Sequence, residues 1–224
     1  SLVHFVQRFG RVAPWKVSNL PNAAPDEVFD LPLLSHDEKL KDGVGHIVTA
    51  SRLSKDKTPQ IDSVEEAVWA LSELYPDIKW QIDVCGDGPL RDYFDRRYRM
   101  LSRELKNVSH VMHGWVLPQD VPQMMNKAFL TVTAGMAGMR ALASGSLCLG
   151  TGARATVGIQ TGKNLRAGVW SNFGDHGVFR FNPNSVRHGL EMLVADSAYD
   201  DAVAVARSVV KKGNSQKVVD GLMF

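Results

Sequence analysis

The chain has 224 residues, 44% hydrophobic and 22% charged, the ordinary make-up of a soluble globular protein with one large domain, or one domain with extensions. A net charge of only +2 gives no reason to expect nucleic acid or an acidic membrane surface as a partner. No apolar run approaches the roughly 20 residues that a membrane span needs.

The basic cluster Arg96, Arg97, Arg99 and Arg103 is interleaved with Asp92, Asp95 and Glu104, so it reads as a solvated helix face. Cys85 and Cys148 each sit inside an apolar, strand-like run. They are too far apart in sequence for a redox or zinc motif and read as buried free thiols, which favours a reducing, cytoplasmic setting. The chain begins at Ser1 with neither Met nor a signal-peptide pattern, which reads as a fragment or a processed chain.

Residues 1–45 carry Pro14, Pro21, Pro25 and Pro32 and little periodicity, and they read as a lead-in and interdomain connection. Lys16 to Leu20 is the clearest strand candidate there, and Pro21 to Phe29 reads as a turn-rich connection. From Gly45 onward strands and helices alternate. His46 to Ala50 is an apolar, β-branched strand that ends in a loop carrying Arg52, Lys55 and Lys57. Ser63 and Glu66 have capping-box spacing at the head of an apolar-periodic helix through Ala67, Leu71 and Leu74. Trp80 to Cys85 is the next strand, followed by Gly86-Asp87-Gly88-Pro89 and a helix from Leu90 to Leu105 with Pro89 in its first turn.

Further strands are expected at His110 to His113, Phe129 to Thr133, Leu147 to Gly150 and, after a loop rich in Gly, Asn and Thr, Val178 to Phe181. Helices are expected at Val121 to Ala128, Ser185 to Val194 and Asp201 to Lys211. Such alternation implies right-handed crossovers and an α/β fold with a doubly wound parallel sheet. We read residues 46–196 as a Rossmann-like domain and 197–224 as a C-terminal helix.

Ligands of such sheets bind beyond the carboxyl ends of the strands. Four strand ends stand out: Arg52 to Lys57, Gly86-Asp87-Gly88, Gly114-Trp115-Val116, and Ala134-Gly135-Met136-Ala137-Gly138. A lone Arg and Lys would read as a solvated basic loop. At a strand end they read as a diphosphate grip, Arg as a flat fork of donors and Lys as a point charge. Bare glycine backbone lets a ligand approach closely.

In order along the chain, these residues resemble the C-terminal half of a retaining glycosyltransferase of the GT-B fold. Arg52-Leu53 with Lys57 matches that family's Arg-Leu and nearby Lys, and Gly86 to Pro89 matches its Gly-Asp-Gly-Pro. Gly114-Trp115-Val116 matches a Gly-x-Val, and Ala141 to Gly145 matches an Ala-Leu-Ala-Ser-Gly run. Pro21 to Phe29 resembles the family's Pro-Asn-Gly-x-Asp-x-x-x-Phe connection, with Ala23 and Pro25 at the Gly and Asp positions. The resemblance spans roughly residues 17–195.

The resemblance implies a nucleotide-diphosphate sugar as substrate, transferred to an unknown acceptor, with Arg52 and Lys57 as the catalytic cations. Gly86, Asp87 and Gly88 would line the donor site. Gly114, Trp115 and Val116 would lie beside the base. Ala134, Gly135, Met136, Ala137, Gly138 and Met139 would pass close to the sugar and phosphates. It implies no metal or other cofactor, and the sequence offers no metal-ligand cluster. It also implies a missing N-terminal acceptor domain, so that this chain alone would bind donor and show little transfer.

The sequence departs from the family at Arg140, which stands where a Glu usually contacts the ribose, and no Glu occurs between Thr133 and Gly145. Either the ribose site is altered or a few residues are missing from the sequence. That departure leaves an alternative open, a non-catalytic nucleotide-binding or regulatory module of the same fold. Residue by residue, Arg140 otherwise reads as a surface side chain, Trp115 as packing rather than a stacking platform, and His110 and His113 as packed or surface groups. Ser171 to His176 suggests no role.

Overall fold

The structure, a computed structural model, describes residues 9–10, 12–13, 16–17, 20–176, 185–195 and 198–222. The strand expected at Val178 to Phe181 lies outside them. Of the candidate strand from Lys16 to Leu20, the described Lys16, Val17 and Leu20 belong to no strand.

Six strands form one sheet among the described residues: β1 Val44–Ala50, β2 Lys79–Cys85, β3 Val108–Gly114, β4 Leu130–Thr133, β5 Leu147–Thr151 and β6 Thr156–Ile159. Their order is β3-β2-β1-β4-β5-β6. All neighbours are parallel except β5 and β6, which are antiparallel. The doubly wound expectation is therefore met up to β5. The sixth strand arises in what the sequence suggested was an irregular loop, as a short return strand on the far edge.

Burial follows position in the sheet. β1 is central, and from Ile47 to Ala50 every residue is buried, as expected for a strand covered on both faces. β3 is an edge strand, and between its buried ends none of its residues is fully buried. Apolar clusters cover both faces. One gathers Ile47, Ile82, Phe94, Tyr98 and Leu130, the other Val48, Met125, Met139, Cys148 and Phe173. Cys85 and Cys148 are buried free thiols in the second cluster, as the sequence suggested.

The helices are α1 His36–Leu40, α2 Pro59–Leu74, α3 Arg91–Glu104, α4 Val121–Lys127, α5 Gly135–Ala143, α6 Gly162–Ser171, α7 Val186–Ala195, α8 Ala198–Asn214 and α9 Gln216–Asp220. Two expectations about their starts need correction. Ser63 and Glu66 do not cap α2, which begins at Pro59, a residue preset for a first turn. Ser63 instead accepts a hydrogen bond from the Thr151 hydroxyl at 2.8 Å, and Glu66 accepts from the Val186 amide. The capping box belongs to α1, between Ser35 and Glu38. Pro89 lies ahead of α3 rather than inside it, because the Leu90 amide is drawn to the Leu53 carbonyl at 2.9 Å.

The lead-in is clasped by the C-terminal helices. Ala24 bridges to Ser215, and Arg207 of α8 donates to the Phe29 and Leu31 carbonyls at 2.6 and 2.7 Å. No helix among the described residues is long and apolar enough to cross a membrane. The basic cluster of α3 is ion-paired as a helix face should be: Arg97 with Asp62 and Glu65, and Arg99 with Asp95.

Candidate functional site

The carboxyl ends of β1, β2 and β3 and the face of α5 enclose a cleft of about 330 Å3. Of the residues singled out in the sequence, Arg52, Gly86, Asp87, Trp115, Val116 and Ala137 line it. Ala50, Ser51, Cys85, Pro118, Val121 and Arg140 complete the walls. The result is a mainly apolar slot with two guanidinium groups and one carboxylate at its edges.

The loops that shape this slot are sewn together by backbone. Ser51 N donates to the Cys85 carbonyl, Leu53 N to Asp87, and Gly86 N to Gly114, at 3.1, 2.9 and 2.7 Å. A methyl group on Gly86 would fall 1.9 Å from the Ser51 carbonyl oxygen, and φ at Gly86 is +147°. Gly86 is thus required by the close approach of the β1 and β2 loops, which also sets where Arg52 emerges.

Arg52 is 70% exposed and lightly held, with Nε 3.2 Å from the Ser54 hydroxyl and Nη2 3.6 Å from Asp56. Trp115 is 74% exposed. That corrects its reading as a packing residue: its side chain stands exposed at the slot wall. Arg140, read as a surface residue, is half-buried in the slot.

Lys57 lies outside the slot. It is only 14% exposed, with Nζ 2.6 Å from Asp175 Oδ1. Asp175 also accepts the Ala153 amide, and its Oδ2 lies 3.1 Å from where a Cβ of Gly135 would be. The stretch Ser171 to His176, for which sequence reasoning found no role, is therefore what brings Lys57 and Gly135 together. Asn172 and Phe173 both adopt left-handed backbone, Asn172 O accepts the Gly135 amide at 3.0 Å, and the Phe173 ring packs where a side chain on Gly138 would go. Ala134 and Met139 are buried in the second apolar cluster, whereas Met136 is exposed. Gly88 faces the Leu53 carbonyl.

α5 starts at Gly135 with no side chain capping its first amides, and the partial positive charge of that end is directed toward the rim. Beneath the β1–β3 rim, Asp83 is buried and joined to His46 Nδ1 and His113 Nε2, each at 2.7 Å, and to Gln81. Burial pushes the Asp83 carboxyl up, but the hydrogen bonds from His46, His113 and Gln81 outweigh it and hold it below its ordinary value. His110 pairs with Asp95 at 2.9 Å. Both histidines read as packed or surface groups are thus bonded to carboxylates. Among the described residues no group of three or more His, Cys, Asp or Glu side chains is placed to hold a metal ion.

This is the Rossmann-like fold of the GT-B glycosyltransferases, and comparison with solved structures agrees. WaaG, a glycosyltransferase involved in lipopolysaccharide biosynthesis, matches with a TM-score of 0.63 at 15% identity, over 99% of this chain and 59% of its own. Alr3699/HepE from Anabaena, solved in complex with UDP, matches at 0.60 and 14% identity, over 98% of this chain and 58% of that one. TarM from S. aureus, also solved with UDP, matches at 0.53 and 16% identity, over 84% of this chain and 35% of that one. The chain therefore spans about a third to three fifths of the length of these proteins. No protein-family model and no curated protein matches the sequence.

Proposed function

We propose that this chain is the donor-binding half of a nucleotide-sugar glycosyltransferase. The observation that carries the reading is Arg52: an exposed, lightly held guanidinium at a parallel strand's carboxyl end, lining an apolar slot together with Ala137 of the first turn of α5. The UDP complexes of Alr3699/HepE and TarM support it from outside.

In this reading the base lies against Trp115 and Val116, and the diphosphate meets Arg52 and the amides of α5 that follow Gly135. When the bond between the sugar's anomeric carbon and the diphosphate oxygen breaks, the electron pair leaves with the diphosphate. Arg52 and α5 stabilise that growing charge in place. Lys57 is the second cation, and it turns to a phosphate by exchanging one oxyanion partner, Asp175, for another. The acceptor and its activating groups come from an N-terminal domain beyond this chain, so the chain alone binds donor with little transfer.

A second reading, a nucleotide-binding or regulatory module without catalysis, is favoured by one observation: Lys57 is already neutralised by Asp175. Calorimetric titration with UDP-, GDP- and ADP-sugars tests both readings. We expect one nucleotide series to bind; the absence of binding in all three would overturn the first reading. Binding without turnover in the full-length protein would favour the second.

A further inference from the structure

Arg140 sits on α5 one turn beyond Ala137, and both line the slot. It also lines a second hollow of about 370 Å3, walled by Pro25, Val28, Leu31 and Gln123, so it stands at the partition between the two. Its guanidinium makes no hydrogen bond or ion pair among the described residues, and its Nε is buried without a partner. Glu27 lines the second hollow but forms no ion pair with it.

Other arginines held against the body of this protein are matched. Arg97 has Glu65 and Asp62, Arg207 has two carbonyls, and Arg91 has Asp87 and the Met112 carbonyl. A half-buried guanidinium without an acceptor carries a desolvation cost that an incoming oxyanion would relieve, and its planar fork suits phosphate or carboxylate. Arg140 stands five residues beyond Gly135, about 7.5 Å of helical rise, and enters the slot beside Ala137 as an anchoring point additional to Arg52.

We propose that the ligand of this slot carries a second oxyanion, separate from the diphosphate, and that Arg140 binds it. The proposal rests on the donor-binding reading above. Two sources share that chemistry: a phosphate ester on the ribose, or a carboxylate on the transferred sugar.

Titration calorimetry on this chain and on Arg140→Gln and Arg140→Lys distinguishes them. One arm compares UDP-glucose with UDP-glucuronate, and the other compares ADP and GDP with their 2′- and 3′-phosphorylated forms. We expect the additional oxyanion to tighten binding by about ten-fold or more in one arm. Arg140→Gln should erase that gain while leaving the uncharged counterpart within about two-fold, and Arg140→Lys should restore only part of it. The arm that responds names the source. If UDP-glucose, ADP or GDP binds but neither arm shows a gain, or the gain survives in Arg140→Gln, the proposal is wrong and the donor reading stands. If none of these nucleotides binds, both fail together.

Discussion

The rim of this sheet has two halves, and they treat their cations differently. At the ends of β1, β2 and β3 the rim is open. Arg52 reaches into solvent, Arg140 has no partner among the described residues, and Trp115 stands bare beside the half-buried Val116. At the ends of β4 and β5 the chain has filled the rim itself. Segment 171–176 neutralises Lys57 through Asp175, takes the Gly135 amide, and seats the Phe173 ring on Gly138. Both halves carry the glycines and cations of a phosphate site. The first leaves its charge available; in the second, Lys57 and the Gly135 amide are already engaged within the fold, and a phosphate must displace Asp175 to reach Lys57.

Four substitutions would break or sharpen this contrast. The largest effect belongs to the seam under the open half. Gly86→Ala puts a methyl group into the Ser51 carbonyl at a positive φ, and should cost about 3 kcal/mol of unfolding free energy, read by urea denaturation. A cost below about 1 kcal/mol would show that the two loops are not tightly seamed.

Next is the closed half. Lys57→Met leaves Asp175 partly buried without its cation and should cost about 2 kcal/mol in the same measurement. If stability were unchanged, Lys57 would not be scaffold, and the two halves would be alike.

Asp83 gives a smaller, pH-dependent effect under the open half. Its carboxyl is held below its ordinary value when folded, so its contribution is fully present above the unfolded pKa of about 3.9 and is lost as pH falls through the folded value. Asp83→Asn should therefore lose about 1 kcal/mol at neutral pH and show a flatter fall in stability below about pH 4. An acid limb as steep as that of the parent would contradict this.

The smallest stability effect is expected for Arg52→Ala, within about 0.5 kcal/mol, because its ion pair with Asp56 is exposed and long.

Much of this was legible in the chain, and the parts that were not have physical reasons. The central strands announce themselves because strands covered on both faces are largely apolar, as Ile47 to Ala50 and Leu147 to Gly150 are, whereas the edge strand β3 showed only its stretch from His110 to His113. β6 gave no such signal: it is four residues long, contains Gly158 and lies between glycines. The Ser63 and Glu66 pair had the spacing of a cap but met Thr151 and Val186 instead, a tertiary use that local pattern cannot foresee.

At the site, Arg52, Gly86 and Val116 could be placed together because strand ends of a doubly wound sheet converge. The partner of Lys57 could not be foreseen, since Asp175 is 118 residues away and arrives through two left-handed residues that no sequence rule marked. Taken one residue at a time, Trp115 read as packing and Arg140 as surface for a shared reason: large side chains usually pack, and lone arginines usually lie on the surface. Only the slot's shape shows that here one is bare and the other enclosed.

The direct test of the open rim as the grip for a diphosphate is to titrate UDP calorimetrically into the parent chain, Arg52→Ala and Lys57→Met. Losing a charged hydrogen bond of about 1.5–3 kcal/mol should weaken UDP binding to Arg52→Ala by roughly ten-fold or more, with its unfolding curve unmoved. Lys57→Met should lose stability and bind UDP better than Arg52→Ala does. An Arg52→Ala chain that binds UDP as tightly as the parent would contradict the account.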